Sequence, residues 1–152
     1  MPEARGLTLL CYDGSDAAKT AIAEAGRLLA PAPALVATAW QPAAVALATY
    51  SWGPGVLPEG DEIDRTAADG ARQSATEGAD LARKAGFEAE PVALESAGPL
   101  WQAIVEAAAD RDAAVIVAGT RGLRGLKSVM LGSVSNGIVH HARRPVLVVP
   151  PQ

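Results

Sequence analysis

The sequence predicts an α/β fold: an open parallel sheet with helices on both faces. Five short apolar runs alternate along the chain with segments of helical periodicity, and this alternation is typical of parallel sheets. The strand segments are continuously apolar, as expected where both sheet faces are covered. At 152 residues the chain is close to one average domain. We therefore expect a single domain over residues 1–152, with a variable loop at about 42–60.

The first half of the chain predicts two strands joined by a helix. Residues 7–12 form an apolar run that ends at Asp13, Gly14 and Ser15, as a buried strand entering a turn would. Ser15 is the predicted N-cap of a helix that Pro31 ends. Residues 34–40 are the predicted second strand.

The middle of the chain predicts a long loop, a long helix and a third strand. Residues 42–60 are rich in proline and glycine, and we expect a long loop there with a short helical turn over 43–48. Residues 61–85 predict a helix that ends at Gly86. Residues 88–94 predict a strand, weakened by Pro91. The predicted inward face of the helix is Ile63, Ala67, Ala71, Leu81 and Ala85.

The last part of the chain predicts two further strands and two helices. Pro99 opens a predicted helix that runs to Asp110. The clearest strand is 113–118, and it leads into a glycine-rich segment. Ser133 is the predicted cap of the last helix, and 145–150 is the predicted last strand.

Composition and charge exclude several classes of protein. The net charge of −4 and the pI of about 5.1 argue against a nucleic-acid partner. No apolar run approaches the ~18 residues of a membrane span, and the first residues do not resemble a signal peptide, so we expect a cytoplasmic protein without a membrane partner. The single cysteine, Cys11, excludes an internal disulfide and is interpreted as a buried small hydrophobic residue.

Two strand ends carry residues suited to an anionic ligand. Glycines let backbone N–H groups approach an anion, and a helix N-terminus favours a phosphate. In the alternative interpretation, these glycines form only a turn and a helix start. The spacing matches neither a Walker A motif nor a dinucleotide-binding motif. The candidate residues are Asp13, Gly14 and Ser15 after the first strand, and Gly119, Arg121, Gly122, Gly132, Ser133 and Ser135 after the fourth.

The pattern Gly119-x2-Gly122-x9-Gly132-Ser133 resembles the ATP-binding signature of the universal stress protein family. An aspartate ending the first strand and a closing apolar strand before Pro150 are also similar to that family. The resemblance covers about residues 7–149. It implies an adenine-nucleotide α-hydrolase-like, Rossmann-like sheet in the order 3-2-1-4-5. It also implies ATP with Mg²⁺ as ligand, and a homodimer paired through the last strand, Val146–Val149.

The resemblance also implies roles for individual residues. Asp13 corresponds to a contact at the adenosine end of the nucleotide. Trp40 falls where the family contacts adenine; because the family residue there is usually a small aliphatic, Trp40 either stacks on the base or obstructs the pocket. The positions that correspond to ribose and phosphate contacts are Gly119, Gly122, Gly132, Ser133 and Val134.

Three functions remain open on the sequence alone. The first is an ATP-binding regulatory protein of the stress response. The second is a slow Mg²⁺-dependent ATP hydrolase, although no residue has the spacing of a general base beside the phosphates. The third is a dimeric scaffold that binds no nucleotide. We assign no catalytic residue and no metal ligand of the protein itself.

Overall fold

The sheet has five parallel strands in the order β3-β2-β1-β4-β5, which confirms the predicted fold and the strand order that the resemblance implied. This computed structural model describes residues 5–50, 60–120 and 131–151. β1 is central and pairs with β2 on one side and β4 on the other. The strands are β1 (Thr8–Cys11), β2 (Pro33–Trp40), β3 (Glu88–Glu95), β4 (Val115–Gly119) and β5 (Val146–Val149).

The helices cover the two faces of the sheet in two groups. Within the described ranges they are α1 (Asp16–Leu29), α2 (Ala43–Tyr50), α3 (Gly60–Lys84), α4 (Leu100–Asp110) and α5 (Ser133–His141). Helices α1 and α3 pack on one face, against Leu10 and Val36, and α4 and α5 pack on the other, against Leu9 and Leu35. Neighbouring strand residues thus supply opposite cores, which explains why these strands are apolar without alternation.

Small residues make the core compact. The chain contains 33 alanines, and Ala25 of α1 and Ala79 of α3 have no exposed surface. Tyr12 and Phe87 supply the bulk of this core at opposite ends of the sheet. None of the described helices combines the length and the apolar character that a bilayer crossing requires.

Three local expectations are corrected. Ser133 is the first helical residue of α5, and its N-cap is Gly132 in extended conformation, without a side-chain hydrogen bond to the helix. Ile63 is 47% exposed, because the buried stripe of α3 begins at Ala68. Residues 43–50 of the expected loop form helix α2. In contrast, Ser15 caps α1 as predicted.

Candidate functional site

The candidate site lies at the carboxyl ends of β1 and β4, where the chain changes direction across the sheet. After β1 the chain enters α1 on one face, and after β4 it reaches α5 on the opposite face. In open α/β sheets this switch point forms the crevice where ligands bind. The N-termini of α1 and α5 therefore both lie at the same edge of the sheet.

The loop after β1 is held by its own side chains. Gly14 has φ of +83°, a backbone conformation that L side chains rarely adopt. The Ser15 N–H donates to Asp13 Oδ1 at 2.9 Å, and the Ser15 hydroxyl accepts from the Ala18 N–H at 3.2 Å. Asp13 itself is exposed, so its carboxylate faces the solvent side of the crevice.

The turn that starts α5 is bonded to the end of β4. The Gly132 N–H donates to the Thr120 carbonyl at 2.7 Å, and the Ser135 hydroxyl donates to the Gly119 carbonyl. The first N–H of α5 with an intrahelical acceptor is that of Asn136, which donates to the Gly132 carbonyl at 2.9 Å. The preceding helix amides, those of Ser133, Val134 and Ser135, thus have no acceptor within the helix.

Gly119 allows the two loops to come together. A Cβ atom at this position would lie 2.9 Å from the carbonyl oxygen of Ala17, in the first turn of α1. Real Cβ atoms essentially never come that close to another heavy atom, and the backbone of α1 has little room to retreat. The absence of a side chain at Gly119 therefore sets the width of the crevice between α1 and β4.

Two of the predicted site residues, Arg121 and Gly122, lie outside the residues that the structure describes. The remaining candidates fall into two groups at one edge of the sheet. The first is Asp13, Gly14 and Ser15, with Trp40 at the end of the neighbouring strand, and the second is Gly119, Gly132, Ser133, Val134 and Ser135.

At the end of β2, Trp40 and Ala39 direct their backbone groups to opposite sides of the strand. The Trp40 carbonyl accepts from the Ser96 N–H at 2.8 Å, so it faces β3. The Ala37 carbonyl accepts from the Tyr12 N–H, on the β1 side. Since backbone groups alternate along a strand, Ala39 also directs its N–H and C=O toward β1, beyond the last paired residue of that strand. Ala39 was not predicted from the sequence, because its apolar character does not distinguish it from core residues.

Helix α3 supports the site through side chains that the sequence did not single out. The buried Tyr12 hydroxyl donates to the carboxylate of Glu77, and Lys19 lies 3.8 Å from the same carboxylate. Burial and the bond to Glu77 raise the pKa of Tyr12. Asp64 accepts from the Ala43 N–H at 2.8 Å and so holds the start of α2 against α3.

The Cys11 thiol stays protonated at neutral pH. Burial, with a smaller contribution from the Asp13 carboxylate, raises its pKa from about 9 to about 12. Cys11 therefore fits its interpretation as a small hydrophobic residue rather than a redox centre.

Alkaline pH should destabilise the protein through this thiol. Between pH 9 and 12 the unfolded chain releases the Cys11 proton while the folded chain retains it, so the free energy of unfolding falls as pH rises through this interval. Urea unfolding at pH 8, 9 and 10 measures the slope, and Cys11→Ala should make it shallower. An identical slope in the variant would contradict the assignment.

The described residues include no cluster of metal ligands, and the surface groove that they form lies away from the candidate site. Within the described ranges, no group of three His, Cys, Asp or Glu side chains is arranged to hold a metal ion. A surface groove of about 530 Å³ lies at the opposite, amino-terminal edge of the sheet, between Pro33, Glu90 and Arg111. It contacts none of the loop residues described above and is a separate feature.

The fold is that of the open α/β proteins. Their ligands typically bind at the carboxyl edge of the sheet, where the strand order reverses. A model of the universal stress protein family matches residues 8–150. The chain belongs to that family. A universal stress protein from Thermus aquaticus is 35% identical over 147 residues, covering 93% of this chain and 96% of its own. A universal stress protein from Synechocystis is 53% identical over only 38 residues, a quarter of either chain.

Solved structures agree with this assignment. The hypothetical protein MJ0577 superposes with a TM-score of 0.75 at 19% identity, covering 97% of each chain, which is a likeness of fold. A universal stress protein solved in complex with cAMP has a TM-score of 0.67 and 25% identity, covering 97% of this chain and 98% of its own.

Proposed function

We propose that this protein is an ATP-binding regulatory protein of the stress response, which holds ATP with Mg²⁺ between α1 and α5. The observation that carries the proposal is the convergence of two helix N-termini on one crevice at the strand-order switch. At each N-terminus, amides without an intrahelical acceptor and the positive end of the helix dipole favour a phosphate. The cAMP complex of a structural relative supports an adenine nucleotide as ligand.

The charges of the crevice orient the nucleotide. The Asp13 carboxylate would repel phosphates, whereas its oxygens can accept hydrogen bonds from ribose hydroxyls. The phosphates then lie toward the amides of Ser133, Val134 and Ser135, with Gly132 allowing close approach. Gly122 and Arg121 complete the proposed phosphate side, and Mg²⁺ binds with the phosphates. The Ser135 hydroxyl contributes by holding α5 to Gly119.

Adenine recognition falls to the end of β2 in this proposal. The N–H and C=O of Ala39 face the β1 side and can pair with the edge of the base, while Trp40 borders it from the face that α3 covers. A backbone N–H beside a C=O matches the adenine edge, which offers N1 as acceptor and the 6-amino group as donor. Guanine presents the reverse pattern at these positions.

ATP should therefore bind more tightly than GTP in the presence of Mg²⁺. We expect a preference of at least tenfold, because GTP would leave two polar groups at the strand end mismatched, at about 1–3 kcal/mol each. Isothermal calorimetry on nucleotide-free protein measures both affinities, with ITP and CTP as controls for the base. Equal affinity for ATP and GTP would remove the adenine assignment.

A second candidate is slow ATP hydrolysis at the same site, through positioning and Mg²⁺. A third is a scaffold in which Trp40 closes the pocket. Acid release of nucleotide carried through purification separates the scaffold from the other two. Turnover of ATP by stoichiometric protein separates binding from hydrolysis.

A nucleotide-dependent regulator belongs where ATP is abundant, so we place the protein in the cytoplasm, as one domain without nucleic-acid or membrane partners.

We further propose a homodimer that pairs through β5. The two edges of the sheet differ in their protection. On β3, Arg83 donates from Nε and a terminal nitrogen to the outward Ala89 carbonyl, at 3.1 and 2.8 Å, and the next outward residue is Pro91, which has no N–H. On β5, Pro145 accepts from Ile116, so Val146 and Val148 direct their backbone groups outward. Natural proteins cover such an edge, and self-pairing across a two-fold axis is one way.

Val148→Lys should convert this dimer to a monomer. Val148 is half-buried and its backbone faces the free edge, so a lysine there brings two like charges together across a two-fold axis. Ala93→Lys, at an outward position of β3, is the matched control and should stay dimeric. Sedimentation of both variants without nucleotide at micromolar concentration is the measurement. If Val148→Lys sediments like the parent, the dimer uses another surface.

A further inference from the structure

Helix α5 makes an aromatic contact with α4 through residues that are not part of the proposed nucleotide site. Trp101, in the first turn of α4, lies against the backbone of Gly137, and a Cβ atom there would overlap Cγ and Cδ1 of the indole. The same indole stacks on the His141 imidazole, with ring centroids 4.2 Å apart and planes 8° from parallel. Gly137 and His141 are four residues apart, so Trp101 lies along one side of α5.

The position of α5 is determined by its buried face, where Ile138 lies in the core, and by contacts at two further places. At its start, Gly132 and Ser135 bond to the carbonyls of Thr120 and Gly119. In its second half, the indole and the missing side chain of Gly137 set the distance between α4 and α5. Core packing at Ile138 holds α5 on the sheet, and the contact with Trp101 additionally restricts tilting and sliding of α5 against α4.

We propose that Trp101 is a positioning residue, which fixes helix α5 and through it the Gly132–Ser135 turn at the end of β4. Its consequence for ligand affinity rests on the nucleotide site proposed above; its consequence for the turn does not. Trp101 contacts α5 at Gly137 and His141 and acts on the turn through the axis of this helix. A shift of this axis moves the amides of Ser133 and Val134, which have to converge on a phosphate.

The first measurement needs no nucleotide. Amide hydrogen exchange of Gly132 in the ligand-free protein reports its bond to Thr120. Trp101→Ala should speed this exchange at least about tenfold relative to the parent at a temperature where both are folded. Trp101→Phe retains an aromatic ring over Gly137 and should restore most of the protection. Exchange at Gly132 that is unchanged in Trp101→Ala would overturn the proposal.

A control variant separates positioning from general loss of stability. Phe87 is buried at the other end of the sheet and on the opposite face, in the core of α1 and α3. Phe87→Leu should lower the melting temperature while leaving exchange at Gly132 unchanged. If Phe87→Leu speeds exchange at Gly132 as much as Trp101→Ala does at equal loss of stability, Trp101 has no specific role.

Gly137→Ala tests the same contact from the other side. Alone, the added methyl group collides with the indole and should displace α5, with faster exchange at Gly132. In a Trp101→Ala background the space is open, so Gly137→Ala should add no further effect. Additive effects of the two changes would contradict a shared contact.

The second measurement is the affinity for ATP with Mg²⁺ by calorimetry. Trp101→Ala should raise Kd about tenfold or more, and Trp101→Phe and Phe87→Leu should change it less than threefold. If the parent protein binds no nucleotide, the proposed function fails, and the exchange data alone decide whether Trp101 positions α5. If exchange responds while Kd does not, α5 does not carry the phosphate contacts.

Discussion

Gly78→Ala should lower the free energy of unfolding by about 2 kcal/mol or more, the range expected for overpacking a well-packed core. A Cβ at Gly78 would lie 2.7 Å from the Tyr12 ring and 2.8 Å from Val36 Cγ1. Neither neighbour can give way, because Val36 is fully buried in β2 and the Tyr12 hydroxyl is bonded to Glu77. Removing a glycine from a helix would otherwise stabilise it.

Gly70→Ala is the matched control for this prediction. Gly70 lies in the same helix α3 and nothing lies within 4 Å of the Cβ it lacks. Alanine there should raise the free energy of unfolding by about 0.5–1 kcal/mol through helix propensity. Urea unfolding of the two variants gives the difference directly. If both variants were stabilised, α3 would not pack on Tyr12 as described.

Gly119→Ala should reduce the affinity for ATP about a hundredfold, an effect of about 2.7 kcal/mol. The added Cβ would meet the Ala17 carbonyl oxygen at 2.9 Å and the carbonyl carbon at 3.0 Å. Because these are backbone atoms in the first turn of α1, relief requires α1 and β4 to separate. That movement widens the crevice and also disturbs the bond from Ser135 to the Gly119 carbonyl.

Gly98→Ala provides the control at the same edge of the sheet. Its Cβ would meet only the amide end of the Gln102 side chain, which can rotate away. We expect parental affinity for ATP in this variant. Calorimetry on both proteins, after circular dichroism has verified folding, is the test. A folded Gly119→Ala variant with parental affinity would exclude the crevice between α1 and β4 as the nucleotide site.

Residue type predicted the local structure where a side chain acts on its own or neighbouring backbone. The strand end at Asp13, the turn at Gly14 and the cap at Ser15 follow from residue type alone, since each acts on its own or neighbouring backbone. The cap of α5 shows the limit of these rules. Serine is a better cap than glycine by propensity, yet Gly132 takes that position and its N–H bonds to Thr120 across the loop.

Contacts between segments far apart in the chain could not be predicted from the sequence. The link between Tyr12 and Glu77 joins residues 65 positions apart, and Asp64 bonds to Ala43 from 21 positions away. The orientation of Ala39 toward β1 depends on the register of two pairings, which no composition encodes. Ile63 continues the periodic pattern of α3 but lies beyond the part of the helix that the sheet covers.

The sequence by itself determined the class of fold and the alternation of strands and helices along the chain. These follow from periodicity, turn chemistry and spacing, which act over a few residues or repeat along the chain. Only the tertiary structure decided which glycines are in close contact, which backbone groups face the crevice and how α5 is held. Such features depend on distances of a few tenths of an ångström between segments far apart in the chain, as at Gly119 and Ala17.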